Sequence, residues 1–416
     1  MSLYKKIASL SLIFVLSVSL AIAQTSNGGS KLSASGASGV ITTAVPFLTI
    51  SPDARSGGLG DAGVAISPDA NSVYWNVGKL AFAQKDYGAA ISYTPWLRKL
   101  VNDMSLAQLS GYAKIRKNEA IGISFRYFKL GEIQFTDQVG NKLQTYRPNE
   151  FSVGAVYSRK MSKNWSVGLG IKYIRSDLAG NVTIPGSNTV AKPASTAAAD
   201  IGVYHNNNKL IIAGRPAQFS FGANISDLGG KVTYTDNDQK EFIPTNLRLG
   251  VAGTIEVDQF SKVVLIFDVN KLMVPSNPTY KYDANGNLQT DANGKPVIDK
   301  GRDPHTTGVL SGVLGSFSDA PGGFKEELQE IILNPAVEYW YNDLFSVRAG
   351  YHYENKFKGN RKYVTLGLGV RYNVFGLDFA YLIPVAQNNP LAETLRFTLH
   401  FDFEKAKASS APVIEE

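Results

Sequence analysis

Four histidines are among the few residues that could do chemistry in this chain of 416 residues, and two of them, His352 and His400, lie among alternating polar positions. A histidine base beside a serine nucleophile hydrolyses acyl esters, and Glu354, two residues from His352, could orient its ring. The sequence has no Gly-x-Ser-x-Gly turn, the usual carrier of such a nucleophile in one large class of hydrolases. We therefore expect both histidines to belong to polar networks and assign no catalytic residue.

Metal and nucleotide chemistry find little support in the sequence. Cysteine is absent, which excludes disulfides, thiol catalysis and thiolate metal sites. Acidic residues are dispersed, so we predict no metal site and no cofactor. The glycine string in residues 57–63 lacks the Gly-Lys-Ser/Thr of a phosphate loop. Two Asp-x-Asn-Gly repeats, at Asp283 and Asp291, favour tight turns with positive φ, with calcium binding as the alternative.

The elements that must position the polar side chains have a period of two. Every second residue is apolar in residues 165–173, 364–372 and 395–403, and polar residues or glycines stand between them. This period indicates strands with one apolar and one polar face. We count fourteen such segments, centred near Ala90, Ser110, Ser124, Val156, Gly170, Gly202, Phe221, Val251, Leu265, Glu338, Ala349, Leu368, Phe379 and Leu399.

Strand length and connections indicate the class of sheet. Most segments have about nine to twelve residues, enough for a tilted strand to cross a bilayer. Short and long connections alternate along the chain. Among the predicted short connections, only the one around residues 206–216 is longer. Bacterial barrels have an even strand number, short periplasmic turns and long outer loops. The predicted fold is therefore all-β: a 14-stranded antiparallel transmembrane β-barrel in a Gram-negative outer membrane, with both termini in the periplasm.

Composition and the N-terminus agree with export to that membrane. The net charge is 42 − 35 = +7, too small and scattered to indicate a nucleic acid partner. The N-terminus has the three parts of a cleaved secretory signal: a basic start at Lys5 and Lys6, an apolar run over residues 7–22, and a small-residue cleavage site at Ala21-Ile22-Ala23. We predict a signal peptide (1–23), an N-terminal segment with a hatch (24–85), the barrel (86–403) with a long loop (272–333), and a periplasmic tail (404–416).

The segment before the first strand is rich in small residues and not strand-like, which suits a compact plug inside the barrel. Charged residues such as Glu338, Arg348 and Asp378 fall on the polar face, where we expect opposite charges to pair across the lumen. The hatch motif comprises Pro52, Asp53, Ala54, Arg55, Gly58, Gly60, Asp61, Gly63, Asp69, Trp75 and Asn76.

This motif resembles the hatch of the FadL family of fourteen-stranded outer-membrane barrels. The longer string over residues 45–76 is more specific and resembles the PorV family (also called LptO) of the type IX secretion system of Bacteroidetes. One departure is Asn76-Val77-Gly78, where the family usually has Asn-Pro-Ala. The departure concerns the geometry of one turn.

The resemblance implies a non-enzymatic secretion component. PorV-like proteins bind the giant translocon barrel (SprA/Sov) at its lateral opening. They receive cargo through its C-terminal signal domain and pass it to an attachment complex that contains the PorU sortase. Outer-membrane lipid surrounds such a barrel. Two alternatives stay open: a FadL-like transporter of hydrophobic small molecules, and a lipopolysaccharide deacylase that would use His352 and His400.

The long loop offers a surface for a partner. Residues 324–333 have helical spacing and place Phe324, Leu328, Ile331 and Ile332 on one face. Loops of this length with their own apolar helix are usually functional. Docking on a partner and folding over the barrel mouth are both compatible with the pattern.

Overall fold

A closed barrel of fourteen antiparallel strands forms the body of the protein, as predicted. The computed structural model describes residues 39–98, 101, 103–136, 140–180, 182, 189–235, 239–386 and 389–405. In chain order the barrel strands are β1 (Tyr87–Pro95), β2 (Met104–Arg116), β3 (Glu119–Leu130), β4 (Asn149–Lys160), β5 (Trp165–Asp177), β6 (Ala194–Ile212), β7 (Arg215–Gly229), β8 (Asn246–Glu256), β9 (Ser261–Leu272), β10 (Ile331–Tyr341), β11 (Phe345–Tyr353), β12 (Lys362–Tyr372), β13 (Phe375–Pro384) and β14 (Leu395–Phe403). Each strand pairs with its sequence neighbours, and β14 pairs with β1. No described helix is long and apolar enough to cross a membrane.

The period of two places apolar side chains outside the barrel and polar ones inside. In β5, Leu169 and Ile171 are 59% and 70% exposed, whereas the alternating Gly168 and Gly170 are buried. Closure of the sheet leaves no open edge, so backbone groups are paired where lipid offers no hydrogen bonds. The interior is filled by polar side chains and by the N-terminal segment.

The two ends of the barrel differ in their connections. One end has short turns, and we call it the short-turn end; the other is the long-loop end. The longer turn predicted around residues 206–216 is wrong, because β6 continues to Ile212 and β7 begins at Arg215. Ala213 and Gly214 form a two-residue turn with φ of 53° and 76°, the geometry that suits a tight hairpin.

The N-terminal segment lies inside the barrel, which confirms the predicted luminal hatch. We call residues 39–85 the hatch. It contains two short 3-10 turns (Pro46–Thr49 and Lys79–Phe82) and the single-turn helices α1 (Ala54–Gly57) and α2 (Ser72–Trp75).

The hatch runs from one end of the barrel to the other. The Ala44 amide donates to the Phe242 carbonyl in the connection between β7 and β8, at 2.9 Å. The Ala81 amide donates to the Ser158 hydroxyl near the short-turn end, at 3.1 Å. The described chain therefore begins at the long-loop end, whereas β14 finishes at the short-turn end. The signal peptide and residues 406–416 lie outside the described residues, so the predicted periplasmic position of both termini stays a prediction.

The long loop between β9 and β10 has its own secondary structure: a small hairpin (Thr279–Tyr280 with Ile298–Lys300) and the helices α3 (Val309–Gly315) and α4 (Phe324–Gln329). The prediction of one helix through residue 333 is wrong, because Ile331 and Ile332 already pair with β9 as the start of β10.

The repeated Asp-x-Asn-Gly segments of this loop are turns, as favoured. The Asp283 carboxylate accepts the amides of Asn285 and Asn287 at 2.9 and 2.8 Å. Gly286 has a φ of 82°. The carboxylate therefore closes its own turn.

Candidate functional site: the hatch and the long-loop end

The first hatch helix is held by an aspartate that binds both hatch helices. Asp53 caps α1, since its Oδ2 accepts the Ser56 amide at 2.8 Å. Its Oδ1 accepts the indole Nε1–H of Trp75 at 2.6 Å. Both helices are thereby fixed to one buried carboxylate, and the Ala54 amide fixes α1 to the Thr398 hydroxyl of β14 at 2.8 Å.

Arg55 connects the hatch to the barrel wall. Its Nε and Nη2 donate to the two Glu338 oxygens of β10, at 3.1 and 3.0 Å. Its Nη1 pairs with Asp69 of the hatch at 3.2 Å. Glu338 also accepts Arg348 Nε of β11 at 2.7 Å, and Arg348 Nη1 donates to Asp378 of β13 at 2.8 Å. The result is a buried chain of ion pairs from the hatch across three strands.

Gly60 and Asp61 form a second connection to the wall. Gly60 has a φ of 65°, and a Cβ there would lie 2.7 Å from the Tyr351 backbone nitrogen. Asp61 Oδ1 accepts Arg396 Nη1 at 2.6 Å, and its Oδ2 accepts the Tyr363 hydroxyl at 2.5 Å. Only glycine combines the positive φ with this close approach.

The Gly63 region is fixed by β9, the strand next to β10. The Asp268 carboxylate of β9 accepts the amides of Gly63 and Val64 at 2.7 and 2.9 Å. A Cβ on Gly63 would lie 2.3 Å from the Trp75 ring. Gly63 therefore allows the indole to pack on the hatch backbone.

Asn76-Val77-Gly78, where the family usually has Asn-Pro-Ala, makes hydrogen bonds to the wall and within its own turn. The Val77 amide donates to Asn224 Oδ1 of β7 at 3.2 Å, a bond that proline could not make. Asn76 Oδ1 accepts the Gly78 amide at 2.9 Å and so closes the turn within the motif.

The predicted hatch residues thus come together inside the lumen. Pro52, Gly58 and the residues above are buried, apart from the half-buried Asp61 and Asp69. The luminal charges were predicted to pair with each other, but Glu338 and Arg396 also bind the hatch. A polar side chain on a luminal face was the only sequence signal for these partners, and it does not indicate which segment they contact.

The two histidines differ in their surroundings. His400 Nε2 contacts Asp378 Oδ2 at 2.7 Å, in the ion-pair chain. The His352 ring stacks on Tyr363 at 4.5 Å. Glu354 binds Arg361 at 2.8 and 2.9 Å and does not orient the His352 ring. Within the described residues, neither imidazole makes a hydrogen bond to a serine hydroxyl.

The long loop exposes apolar side chains at the long-loop end. Phe324 and Leu328 on α4 are 76% and 52% exposed, and Leu310 and Leu314 on α3 are 68% and 73% exposed. We call these four residues the loop patch. The other two predicted docking residues, Ile331 and Ile332, are half-buried at the start of β10 and do not belong to it.

Buried ion pairs hold the base of the loop patch on the barrel. Glu330 contacts Lys271 Nζ of β9 at 2.6 Å and Lys358 Nζ, beyond β11, at 3.0 Å. Burial alone would raise the pKa of Glu330, but hydrogen bonds from Lys271 and Ser276 hold it below its ordinary value. Burial alone would lower the pKa of Lys358, yet hydrogen bonds to Glu326 and Glu330 raise it. Both groups are therefore charged near neutral pH.

A closed fourteen-stranded barrel with an apolar outer wall and a fixed luminal hatch belongs to the class of plugged outer-membrane β-barrels. Within that class, the family model described as "Type IX secretion system protein PorV" matches residues 33–279, more than half of the chain. The chain belongs to this family, which confirms the resemblance in residues 45–76, and it is an outer-membrane protein of the type IX secretion system.

Solved structures with related architecture were also found. The Ralstonia pickettii toluene transporter TbuX shares 10% identity at a TM-score of 0.47, over 85% of this chain and 98% of that chain. A Pseudomonas aeruginosa FadL homologue shares 11% identity at a TM-score of 0.44, over 88% of this chain and 100% of that chain. We draw no functional conclusion from these similarities. The comparison with curated proteins gives no match.

Proposed function

We propose that this barrel receives cargo proteins at the outer membrane and transfers them to the surface attachment complex. In this proposal it binds a SprA/Sov-like translocon, recognises the C-terminal signal domain of the cargo, and delivers the cargo to a PorU-like sortase. Membership of the PorV family supports this role. A hatch fixed by buried ion pairs also supports it, because a protein that works by binding needs no open channel.

The observation that carries the proposal is the exposed loop patch. Four large apolar side chains in water are unfavourable unless a partner covers them. The ion pairs of Lys271 and Lys358 hold the loop in place, so the patch is presented without a large ordering cost on binding. These features favour docking on a partner over folding across the barrel mouth.

The proposed orientation places the long-loop end outside the cell and the short-turn end in the periplasm, as is usual for such barrels. Phe403 would then lie at the periplasmic side, with the C-terminal tail (404–416) beyond it. In the same proposal the mature N-terminus is also periplasmic.

Substitution of the loop patch tests the proposal. We expect Phe324→Ser with Leu328→Ser to abolish co-purification of the translocon from native outer membranes and to reduce surface display of cargo. Leu288→Ser, which removes another exposed apolar side chain from the same loop, is the matched control. Normal translocon binding and cargo display in the double variant would contradict the proposal.

The two alternatives have separate tests. A transporter of hydrophobic solutes needs a path past the hatch, and uptake of labelled fatty acid should fall on deletion of the gene. A deacylase needs a histidine base, and lipid A acylation should change in a His352→Ala, His400→Ala variant. In our proposal both measurements stay at the wild-type value.

A further inference from the structure

A cavity of about 510 Å³ lies at the long-loop end, between the start of the hatch and the inner faces of β8, β9 and β11. We call it the long-loop cavity. Its apolar lining includes Val40, Pro46 and Leu272, and its polar lining includes Arg248 and His352. The function proposed above makes no use of this space.

Arg248 is the lining group that most constrains a ligand. The side chain is buried and donates to the Ser226 hydroxyl at 3.2 Å and the Tyr74 hydroxyl at 3.0 Å. Its guanidinium lies 4.8 Å from the centre of the Tyr74 ring, which fixes its plane. Among the described residues, no carboxylate oxygen lies within 4.0 Å of the Arg248 guanidinium nitrogens. Arginine forms its strongest contacts with planar anions, chiefly carboxylates and phosphates.

Three further lining groups have unused hydrogen-bonding capacity. Ser51, Asn270 and His352 are 3%, 8% and 5% exposed. The Ser51 hydroxyl, Asn270 Oδ1 and both His352 ring nitrogens make no hydrogen bond to the described protein. Buried polar groups are almost always hydrogen-bonded, so groups that remain free toward one cavity indicate a polar occupant.

The acidic groups of the lining are already paired. Glu330 contacts Lys358, and Glu354 contacts Arg361 through two bonds. Asp61 contacts Arg396. A cation would have to compete with these lysine and arginine side chains, whereas an anion meets the Arg248 guanidinium, which has hydroxyl partners and no carboxylate partner among the described residues. A long alkyl chain would lie against charged side chains without satisfying the free polar groups.

We propose that the long-loop cavity binds a polar carboxylate. The carboxylate lies against the Arg248 guanidinium, and the hydroxyl of Ser51 and the side chains of Asn270 and His352 hydrogen-bond the ligand. The carboxylate belongs to a small hydrophilic acid or to the free carboxyl end of a polypeptide. Both sources share this chemistry, and the proposal is independent of the function proposed above.

Calorimetric titration of the detergent-purified full chain tests this. The probes are succinate, an N-acetylated dipeptide with a free carboxyl group, the same dipeptide as its amide, and decanoate. We expect succinate or the free-acid dipeptide to bind and the amide to lose ~10-fold or more in affinity, as for a lost charge-assisted hydrogen bond. Preference between the two binding probes identifies the source of the carboxylate.

Three variants keep the test specific. Arg248→Gln should reduce affinity by ~10-fold or more. Ser51→Ala, which removes a hydroxyl without a protein partner, leaves the fold intact and should weaken binding by a smaller factor. Arg159→Gln, at an exposed position on the short-turn end, should bind as wild type.

Four results would each overturn the proposal. They are no binding of either acid, equal binding of acid and amide, tighter binding of decanoate, and unchanged affinity in both cavity variants.

Discussion

Replacement of Arg55 tests whether the hatch is fixed in the lumen by the ion-pair chain. Arg55→Met removes the guanidinium and retains much of the side-chain length. Glu338 then loses a bidentate partner that lies 3.0–3.1 Å away, with both side chains almost completely buried. Removal of one partner from a buried ion pair costs about 3–5 kcal/mol when the remaining charge is left unpaired. Glu338 keeps Arg348 Nε at 2.7 Å, so we expect the smaller cost of lost charge-assisted hydrogen bonds, about 2–3 kcal/mol.

The hatch can be followed through a single introduced thiol, since the chain has no cysteine. Ser56→Cys places that thiol on α1, next to Arg55 and fully buried. Where the hatch opens and recloses faster than a hydrophilic maleimide reacts with the thiol, the modification rate measures the population of the open hatch. A cost of about 2–3 kcal/mol raises this population by roughly 30-fold to 150-fold, provided the barrel itself remains folded.

The matched control is Arg116→Met, which breaks an ion pair whose arginine is largely exposed. Exposed pairs contribute about 0–1 kcal/mol, so the labelling rate should change by less than ~5-fold. Heat-modifiable migration on gels verifies that each barrel is folded. Equal labelling rates in the Arg55 and Arg116 variants, with folded barrels, would refute the role of the ion-pair chain.

Three further predictions concern other parts of the molecule. Gly60→Ala combines a positive φ with a Cβ 2.7 Å from the Tyr351 nitrogen, and should destabilise the hatch by at least about 1–3 kcal/mol, read from the same thiol labelling. The fold lowers the pKa of Glu330 below its ordinary value of 4.5. Its ion pairs therefore stabilise the long loop fully at a pH above 4.5, and this stabilisation is lost as the pH falls through the lowered pKa of the folded state. Protease cleavage of that loop should therefore increase on acidification below pH 4.5, and this increase should be smaller in a Glu330→Gln variant, which keeps the Glu327–Lys271 and Glu326–Lys358 pairs. Leu368→Arg on the lipid-facing wall should cost about 2–4 kcal/mol in urea unfolding from vesicles if it lies at the midplane, whereas Thr365→Ser, inside the lumen, should cost little; equal costs would mean that the two faces are reversed.

The strands were predictable because the bilayer and the lumen impose one period on every strand. Each residue of β12 or β14 reports its own environment, so local sequence is sufficient there. The prediction of a longer turn at residues 206–216 was wrong because it also relied on local alternation. A polar run at Asn206–Asn208 interrupts the alternation, while backbone pairing of β6 with β7 continues beyond it. Hydrogen bonds along a ladder do not require apolar side chains.

The internal contacts of the hatch could not be predicted in the same way. Arg55 and Glu338 are separated by 283 positions, and either residue alone is only a charge on a polar surface. The prediction of a helix through Leu333 was wrong because apolar residues three or four apart also suit the start of a strand. Pairing of Ile331 with Lys271 of β9 ends the helix, and no local pattern contains that contact.

The arrangement of these features explains why a fixed hatch suits a protein that works by binding. Arg55, Gly60 and Asp61 connect the hatch to β10, β12 and β14, while Asp268 connects it to β9 and Asn224 to β7. The hatch therefore cross-links the wall, and it reduces the freedom of the strands to move relative to each other. Both the loop patch and the long-loop cavity lie at one end of this cross-linked body. A rigid base lowers the entropy lost when a partner binds there, so stability inside the lumen contributes to affinity at the long-loop end.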